Sequence, residues 1–434
     1  MNTRDTLYIE NGELFVGNLS ATSLAKRFGT PLYVMDATYI ASVCDAYSQT
    51  MSAYGGAVLY TSKAFATIAT TKLIASHGLW FDAVSGGELF LLNSANVDMK
   101  HVVFHGNNKT PKEILEGVEL GVGYFVIDSD TEIDTLDKIA CENGIKQDVL
   151  IRVNPGVTAH THAALQTAAP ASKFGFAIDE QAEETVKYIL SKPNLTFKGL
   201  HMHIGSQVYE HSSYEFAVDA MCALIKRLAD CKIAVDIFDI GGGFGIYYND
   251  EDPLFTPKRY SYTLKQVCEN VKTDCAKYAV KMPFLIFEPG RSVVGEAGVT
   301  LYTVGAIKNF PNVKKYVAVD GGMFENPRHA LYDAHYEAVV ANHANKPKSD
   351  IVTLVGKCCE SGDIVASDIP LQEAEVGDIV AVFSTGAYNY SMASNYNLNP
   401  VPPVVLVDGE KADYIVKPQT YEDLTRNNTV PEWI

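Results

Sequence analysis

The stretch AVLYTSKAFATIATTKLIASHGLWFDAVSGGELFLLNSANVDMKHVVFHGN, residues 57–107, decides the fold. It opens on an apolar, β-branched and aromatic run, AVLYTSK, and passes at once into the helical pattern ATIATTKLIASHG. Two more apolar runs follow, LWFDAVS and HVVFHGN. None of the three alternates polar with apolar residues, as a half-exposed strand would. Continuous apolar runs of this length suit strands buried on both faces of a parallel sheet. Lys63 ends the first run, and a strand-end lysine at the mouth of such a sheet can offer its amine to a carbonyl compound.

The unit repeats outward from there. YFVIDSD, DVLIRVNPG, FKGLHMHIGSQ, VDIFDIGGGFG and PFLIFEPGR continue the strand series. TPKEILEGVELG, TEIDTLDKIACENG, DEQAEETVKYILS, YEFAVDAMCALIKRLADC and TLKQVCENVKTDCAKYA read as the intervening helices. Strand and helix alternate eight times over about 235 residues, near the ~250 typical of a (β/α)8 TIM-like barrel. An open doubly wound sheet uses the same alternation, but the count of eight favours the barrel.

A barrel carries its active site at the C-terminal ends of its strands. Those ends read Lys63; Asp82 with Ser85-Gly86-Gly87; His105 with Asn107 and Asn108; Asp128; Arg152 with Asn154; His203 with Ser206; Gly241-Gly242-Gly243; and Glu288 with Arg291. Nearly every strand delivers a polar or glycine-rich tip to one face, which is the pattern of a catalytic pocket.

The flanks have a different texture. TLYIENGELFVG alternates around Asn11-Gly12, a hairpin signal, and ATSLAKRFGTPLYVMD reads as a helix ended by Gly29 and Pro31, then a strand. After Arg291, short β-rich runs such as VTLYTVGAIKN, KKYVAVDGGM, SDIVTLVGK, GDIVAVFS and PPVVLVDG follow with few helices between. The expectation is an α/β chain with a barrel over 36–290 and a second, mainly β domain from 1–35 and 291–434. The N-terminal hairpin is expected to join the sheet of that second domain.

Composition narrows the function. A chain of 434 residues, 47% hydrophobic, can build two substantial cores. A net charge of −17 argues against nucleic acid or an anionic membrane as partner. The opening MNTRDTLYIENGELFVGN has the pattern of neither a signal nor a transit peptide, and no apolar run reaches membrane-spanning length. The eight cysteines show no CxxC or Cys/His metal spacing, so neither a disulfide framework nor a metal site is expected. A reducing cytoplasm is the simplest setting.

Two strand tips point to a phosphorylated ligand. DIGGGFG follows a strand, and its glycines let backbone amides close around an anion. EPGRSVVGEAG sets a carboxylate, a turn and an arginine on the last strand, where barrels commonly build phosphate sites. Lysine, phosphate cradle and carboxylate together suggest pyridoxal 5'-phosphate. Lys63 would hold it covalently, Gly241, Gly242 and Gly243 would hold its phosphate, and Glu288 would keep the ring nitrogen protonated. His203, in preference to His201, would stack on the ring. Asp82, Ser206, Gly290 and Arg291, at neighbouring tips, complete the residues assigned to the cofactor.

The motifs YTSKAF, FDAVSGGEL, FHGNNKT, RVNPGVTAHTH, SKFGF, LHMHIGSQ, DIGGGFGIYY, EPGRSVVGEAG, VDGGMFENPRHALYDAHY, KCCESGDIVASD and STGAYNYSMASNYN, in this order over roughly residues 30–400, resemble the diaminopimelate decarboxylases. These belong to the alanine-racemase-like, barrel-type pyridoxal phosphate enzymes. The resemblance implies decarboxylation of meso-2,6-diaminopimelate to L-lysine and carbon dioxide, the last step of lysine biosynthesis. It implies that Arg291, Arg328 and Tyr332 bind substrate, with guanidinium groups matched to carboxylates. It gives Cys359 a proton-donor role and Glu360 the distal amino group of the substrate. Tyr388 would touch both cofactor and substrate. Cys359 and Glu360 would reach the pocket of a second subunit, so a homodimer with shared sites is implied. Glu360 and Asp363 are charges not expected in a core without partners, so their segment is expected to face a polar site.

Two departures from the family pattern stand out. Phe65 replaces a common asparagine and Thr61 a frequent alanine, and the loop 166–176, which contains TAAPASKFGF, differs from the usual glycine-containing one. Both bear on substrate range. The rival functions are a decarboxylase of D-lysine, D-ornithine or another basic amino acid, and a non-catalytic binding protein of this fold. Arg291 and Arg328 speak against the first, since those substrates lack a distal carboxylate. Lys63, Glu288 and Cys359 speak against the second.

Overall fold

Eight parallel strands close on themselves: Ala57–Tyr60, Trp80–Ala83, Val102–Phe104, Tyr124–Ile127, Gln147–Asn154, Leu195–His201, Ile237–Asp239 and Phe284–Phe287. Each pairs with the next in sequence, and the eighth pairs with the first through Ile286↔Ala57 and Phe287↔Val58. This (β/α)8 barrel is what the eight continuous apolar runs predicted. The computed structural model describes residues 3–156 and 172–434, which divide into two units. The barrel unit comprises 41–246 and 255–293; the other comprises residues up to 40, 247–254 and 294–434. The short stretch Tyr247–Leu254, inside the span assigned to the barrel on sequence, thus groups with the β-rich unit.

Leu59, Val103, Val126, Leu150, Ile237 and Ile286, from six different strands, meet in one buried cluster. Each such side chain stabilises by about 1.5–3 kcal/mol on full burial. Local chemistry sets the helices. In TPKEILEGVELG, Thr110 accepts the Glu113 N–H at 3.3 Å while Glu113 accepts the Thr110 N–H at 3.0 Å, a reciprocal cap. Pro111 fits the first turn, and Gly121, at φ 72°, ends the helix. The loop 166–176 falls partly on residues 166–171, outside the described residues, as does part of RVNPGVTAHTH.

The β-rich unit is built on a nine-stranded sheet. Leu32–Asp36 lies within it, antiparallel to Gly298–Phe310 on one side and parallel to Val404–Asp408 on the other. The N-terminal hairpin departs from expectation. Leu7–Glu10 and Glu13–Val16 pair with each other and, with Leu19–Ser20, form a separate three-stranded sheet. Its apolar residues Leu7, Leu14 and Val16 pack with Leu32, Val34, Val299 and Leu301. The hairpin therefore buries its apolar face by layering onto this core rather than by adding an edge strand. Among the described residues, no helix is long and apolar enough to cross a membrane.

Candidate active site

Lys63 sits in a single 3₁₀ turn, Ser62–Ala64, just beyond the first barrel strand. Three bonds pin that turn. Ser62 donates its N–H to Asp82 Oδ1 at 2.6 Å and its hydroxyl to the Asp82 carbonyl at 2.7 Å, and Thr61 donates to the Glu288 carbonyl at 2.8 Å. The turn is thus tied to the second and eighth strands, while the Lys63 side chain is exposed. Among the described residues its amine makes no hydrogen bond or ion pair within 4 Å. Phe65, the departure from the family pattern, is packed in the core, and its carbonyl accepts from the Tyr60 hydroxyl at 2.6 Å. Burial, then the charges of Glu88 and Glu288, pushes the Asp82 carboxyl well up.

Glu288 is buried at the tip of the eighth strand between two histidines. His105 Nε2 lies 2.7 Å from one carboxylate oxygen and His201 Nε2 lies 3.3 Å from the other. The two rings meet edge to face with centroids 4.8 Å apart. Burial alone would raise the Glu288 carboxyl, but the two histidines hold it well below the usual carboxylate range. Burial pushes His201 down to about 4, so its ring is neutral at pH 7. Asp239 shares the cluster; burial, then the Glu288 charge, raises its carboxyl well above the usual range. The two carboxyls are thus driven in opposite directions, Glu288 towards its ionised form and Asp239 towards its protonated form.

The three glycines after the seventh strand are required by close approach. A Cβ on Gly241 would stand 2.3 Å from the Met202 carbonyl oxygen, on Gly242 2.0 Å from that of Glu288, and on Gly243 2.3 Å from that of Gly205. Gly241 donates its N–H to Asp239 Oδ1 at 2.9 Å and Gly242 donates to His203 Nδ1 at 3.3 Å. His203 is thereby oriented, and burial with the charges of Lys63 and Arg152 keeps its ring neutral, well below the usual imidazole range. The N–H groups of Gly243 and Phe244 donate to no protein acceptor among the described residues. Arg291, buried just past Gly290, donates to Ser206 Oγ at 3.0 Å, which joins two tips predicted separately.

The remaining predicted residues belong to the β-rich unit. Arg328, buried, opens the short helix Arg328–Tyr332 and donates to the Tyr336 hydroxyl at 3.0 Å. Its guanidinium carbon lies 5.6 Å from the ring centroids of Tyr332 and Tyr388 and 5.7 Å from that of Tyr248. Such an aromatic enclosure favours a planar cation. Cys359 and Glu360 are exposed on a tight loop. Asn397 accepts the Cys359 N–H at 2.9 Å, and the Tyr396 hydroxyl donates to Glu360 at 3.4 Å.

The structure thus gathers Lys63, Asp82, His203, Ser206, Gly241–Gly243, Glu288, Gly290 and Arg291 on the barrel tips, and Arg328, Tyr332 and Tyr388 in one aromatic cluster. Sequence reasoning passed over two groups: His105 and Asp239 as partners of Glu288, and the aromatic neighbours Tyr248 and Tyr336. His105 was visible as a strand tip. Asp239, Tyr248 and Tyr336 carry no local signal.

A family model described as the pyridoxal binding domain of pyridoxal-dependent decarboxylases matches residues 39–295. The diaminopimelate decarboxylase of Bacillus subtilis is 41% identical over 421 residues, covering 96% of this chain and 95% of its own. The crystal structure of the M. jannaschii enzyme of that name, in complex with L-lysine, superposes with a TM-score of 0.90 at 35% identity, covering 98% of both chains. That of the Helicobacter pylori enzyme, also with L-lysine, gives 0.85 at 29% identity, covering 93% of this chain and 98% of its own. The chain belongs to the diaminopimelate decarboxylase family, within the pyridoxal-dependent decarboxylases.

Its cofactor is pyridoxal phosphate, and the barrel tips fit that group. The glycine turn leaves no room for a side chain and has two amides aimed at no protein acceptor, which suits a phosphate. Glu288 is a buried carboxylate kept ionised, which suits a protonated ring nitrogen.

Proposed function

We propose that this chain decarboxylates meso-2,6-diaminopimelate at its D-centre, releasing carbon dioxide and L-lysine in the last step of lysine biosynthesis. The observation that carries the reaction type is Glu288, held ionised by His105 and His201 on the same ring of strand tips as Lys63. When bound, pyridoxal phosphate supplies an electron sink for the carbanion left at Cα as the carboxylate departs. Lys63 would hold the cofactor through its amine. Glu288 would keep the ring nitrogen protonated, and neutral His203 would stack on the ring. Gly241–Gly243 and Ser206 bind the phosphate, with Asp82 fixing the Lys63 turn.

Arg291 and Arg328 bind substrate carboxylates, Tyr332 and Tyr388 line the substrate, and Glu360 takes the distal ammonium group. Cys359 or Lys63 then delivers a proton to Cα. The need for two carboxylate-binding arginines favours diaminopimelate over D-lysine or D-ornithine. The active unit is a homodimer in which Cys359 and Glu360 complete the partner's site, and the setting is the cytoplasm. The L-lysine complexes of the relatives support lysine as the product.

Carbon dioxide release from meso-diaminopimelate, D-lysine and D-ornithine tests the assignment. The expected kcat/KM preference for diaminopimelate is about 100-fold or more, because a buried arginine left without its carboxylate is costly. Equal rates on all three would overturn the substrate.

A further inference from the structure

Asp363 follows the Cys359–Glu360 loop and is 3% exposed. Its two carboxylate oxygens accept from two different loops. Oδ1 takes the N–H of Met323 at 2.5 Å, and Oδ2 takes the N–H of Cys358 at 2.6 Å. The first loop, 320–327, runs directly into the helix that starts at Arg328. The second, 356–362, carries Cys359 and Glu360. A backbone bond from Lys357 N–H to the Gly321 carbonyl, at 3.0 Å, lies beside the carboxylate and closes the same junction.

The surroundings are shaped around that carboxylate. A Cβ on Gly322 would lie 2.5 Å from Asp363 Oδ1, and one on Gly356 would lie 2.4 Å from Oδ2. Gly322 also has φ +152°, which disfavours any side chain. Two glycines in two loops thus open the space that one carboxylate fills. Asp363 also closes its own loop, with its N–H donating to the Glu360 carbonyl at 3.1 Å and its carbonyl accepting from Gly356 at 3.0 Å.

We infer that Asp363 is a positioning residue: its carboxylate clips the Arg328 segment to the Cys359–Glu360 loop, so that these residues are presented to substrate as one body. The inference rests on the proposed roles of Arg328, Cys359 and Glu360. Asp363 itself touches no substrate. A carboxylate is the group required, because it alone presents an acceptor to each of two N–H groups. Asparagine keeps the volume but, whichever way it is turned, sets an NH2 against one of the two amides.

The experiment is hydrogen–deuterium exchange on the holoenzyme, wild type and Asp363→Asn, with peptides covering 320–327 and 356–363. The variant is expected to exchange about tenfold faster or more in both segments together. The KM for diaminopimelate should rise about tenfold while cofactor absorbance stays unchanged. Alkylation by iodoacetamide supplies the folding control, since buried Cys44, Cys222, Cys268 and Cys275 should stay protected. Acceleration of one segment alone, or of neither, overturns the clip.

Should Asp363→Asn fail to fold, wild type still decides. The amides of Met323 and Cys358 should exchange through a shared opening, at protection factors within about threefold of each other. A separation of about thirtyfold or more would mean that the loops open independently and the inference is wrong. The exchange readout is independent of catalysis. If Cys359→Ala and Glu360→Gln retain full turnover while Asp363→Asn frees both loops, the proposed roles fall and the clip stands.

Discussion

His105 Nε2 stands 2.7 Å from a carboxylate oxygen of Glu288, inside a barrel and away from water. Two residues 183 positions apart in the numbering, on the third and eighth strand tips, thus meet in one buried cluster. The two histidines, His105 and His201, hold the Glu288 carboxyl well below the usual carboxylate range, and an ionised Glu288 is what a protonated ring nitrogen requires. Glu288→Gln should lower kcat by about 100-fold or more with cofactor still bound, since an amide cannot hold that nitrogen protonated. Steady-state rates beside the cofactor absorbance check this, and unchanged turnover would place the electron sink's support elsewhere.

Lys63 is exposed on a turn whose fixed atoms are its neighbours'. Lys63→Ala should therefore change stability by no more than about 0.5 kcal/mol while abolishing turnover and covalent cofactor attachment. Thermal unfolding and borohydride trapping of the cofactor separate the two effects. Parental activity in the variant would end the assignment of Lys63.

Gly242→Ala drives a methyl group to within 2.0 Å of the Glu288 carbonyl oxygen, a backbone atom that cannot step aside. The glycine turn must shift, and cofactor affinity should fall about tenfold or more, as equilibrium dialysis would show. An alanine variant with parental affinity would mean that the turn does not hold the phosphate.

Glu325 is buried, accepting from the Tyr302 hydroxyl at 2.5 Å and from the Gly322 N–H at 3.2 Å. Burial pushes its carboxyl up to about 7, against 4.5 for the free group. Between those values the folded chain keeps a proton that the unfolded chain has released. The stabilising contribution is complete below about 4.5 and is lost as pH rises through about 7. Glu325→Gln, which cannot ionise, should thus gain on wild type by up to ~3 kcal/mol as pH rises through this window. Melting temperatures of the two proteins over that range should diverge, and parallel curves would count against a protonated Glu325.

Shared active sites predict complementation. Inactive Lys63→Ala and Cys359→Ala chains, unfolded together and refolded, should recover up to about a quarter of parental activity by random pairing of subunits. If the mixture stays dead while parental protein recovers from the same treatment, Cys359 serves its own chain or none.

The barrel was legible because its strands are buried on both faces, and a continuous apolar run such as AVLY announces that without reference to the rest of the fold. Lys63, Glu288 and the glycine turn were legible because each ends such a run. The histidines around Glu288 were not, because pairing the third, sixth and eighth strand tips requires ring closure, which no local pattern encodes. The hairpin at Asn11-Gly12 was found but misplaced, since a period of two tells which face is apolar and not what covers it. The segment of Glu360 and Asp363 was expected to face a polar site, because neither charge was expected in a core without partners; Glu360 is exposed. Asp363 is buried with partners, and those partners are backbone amides, which have no signature in a sequence.

The position of Leu32–Asp36 also sets a schedule for synthesis. This strand leaves the ribosome about 260 residues before Gly298–Phe310 and about 370 before Val404–Asp408, the two strands that flank it. At roughly 5–20 residues per second, it waits tens of seconds with both edges unpaired. Meanwhile the barrel, whose strands are made consecutively, can close. This strand is thus made well before both of its neighbours and is among the last to be secured, and a chaperone acting on this protein during translation would find its open edge there.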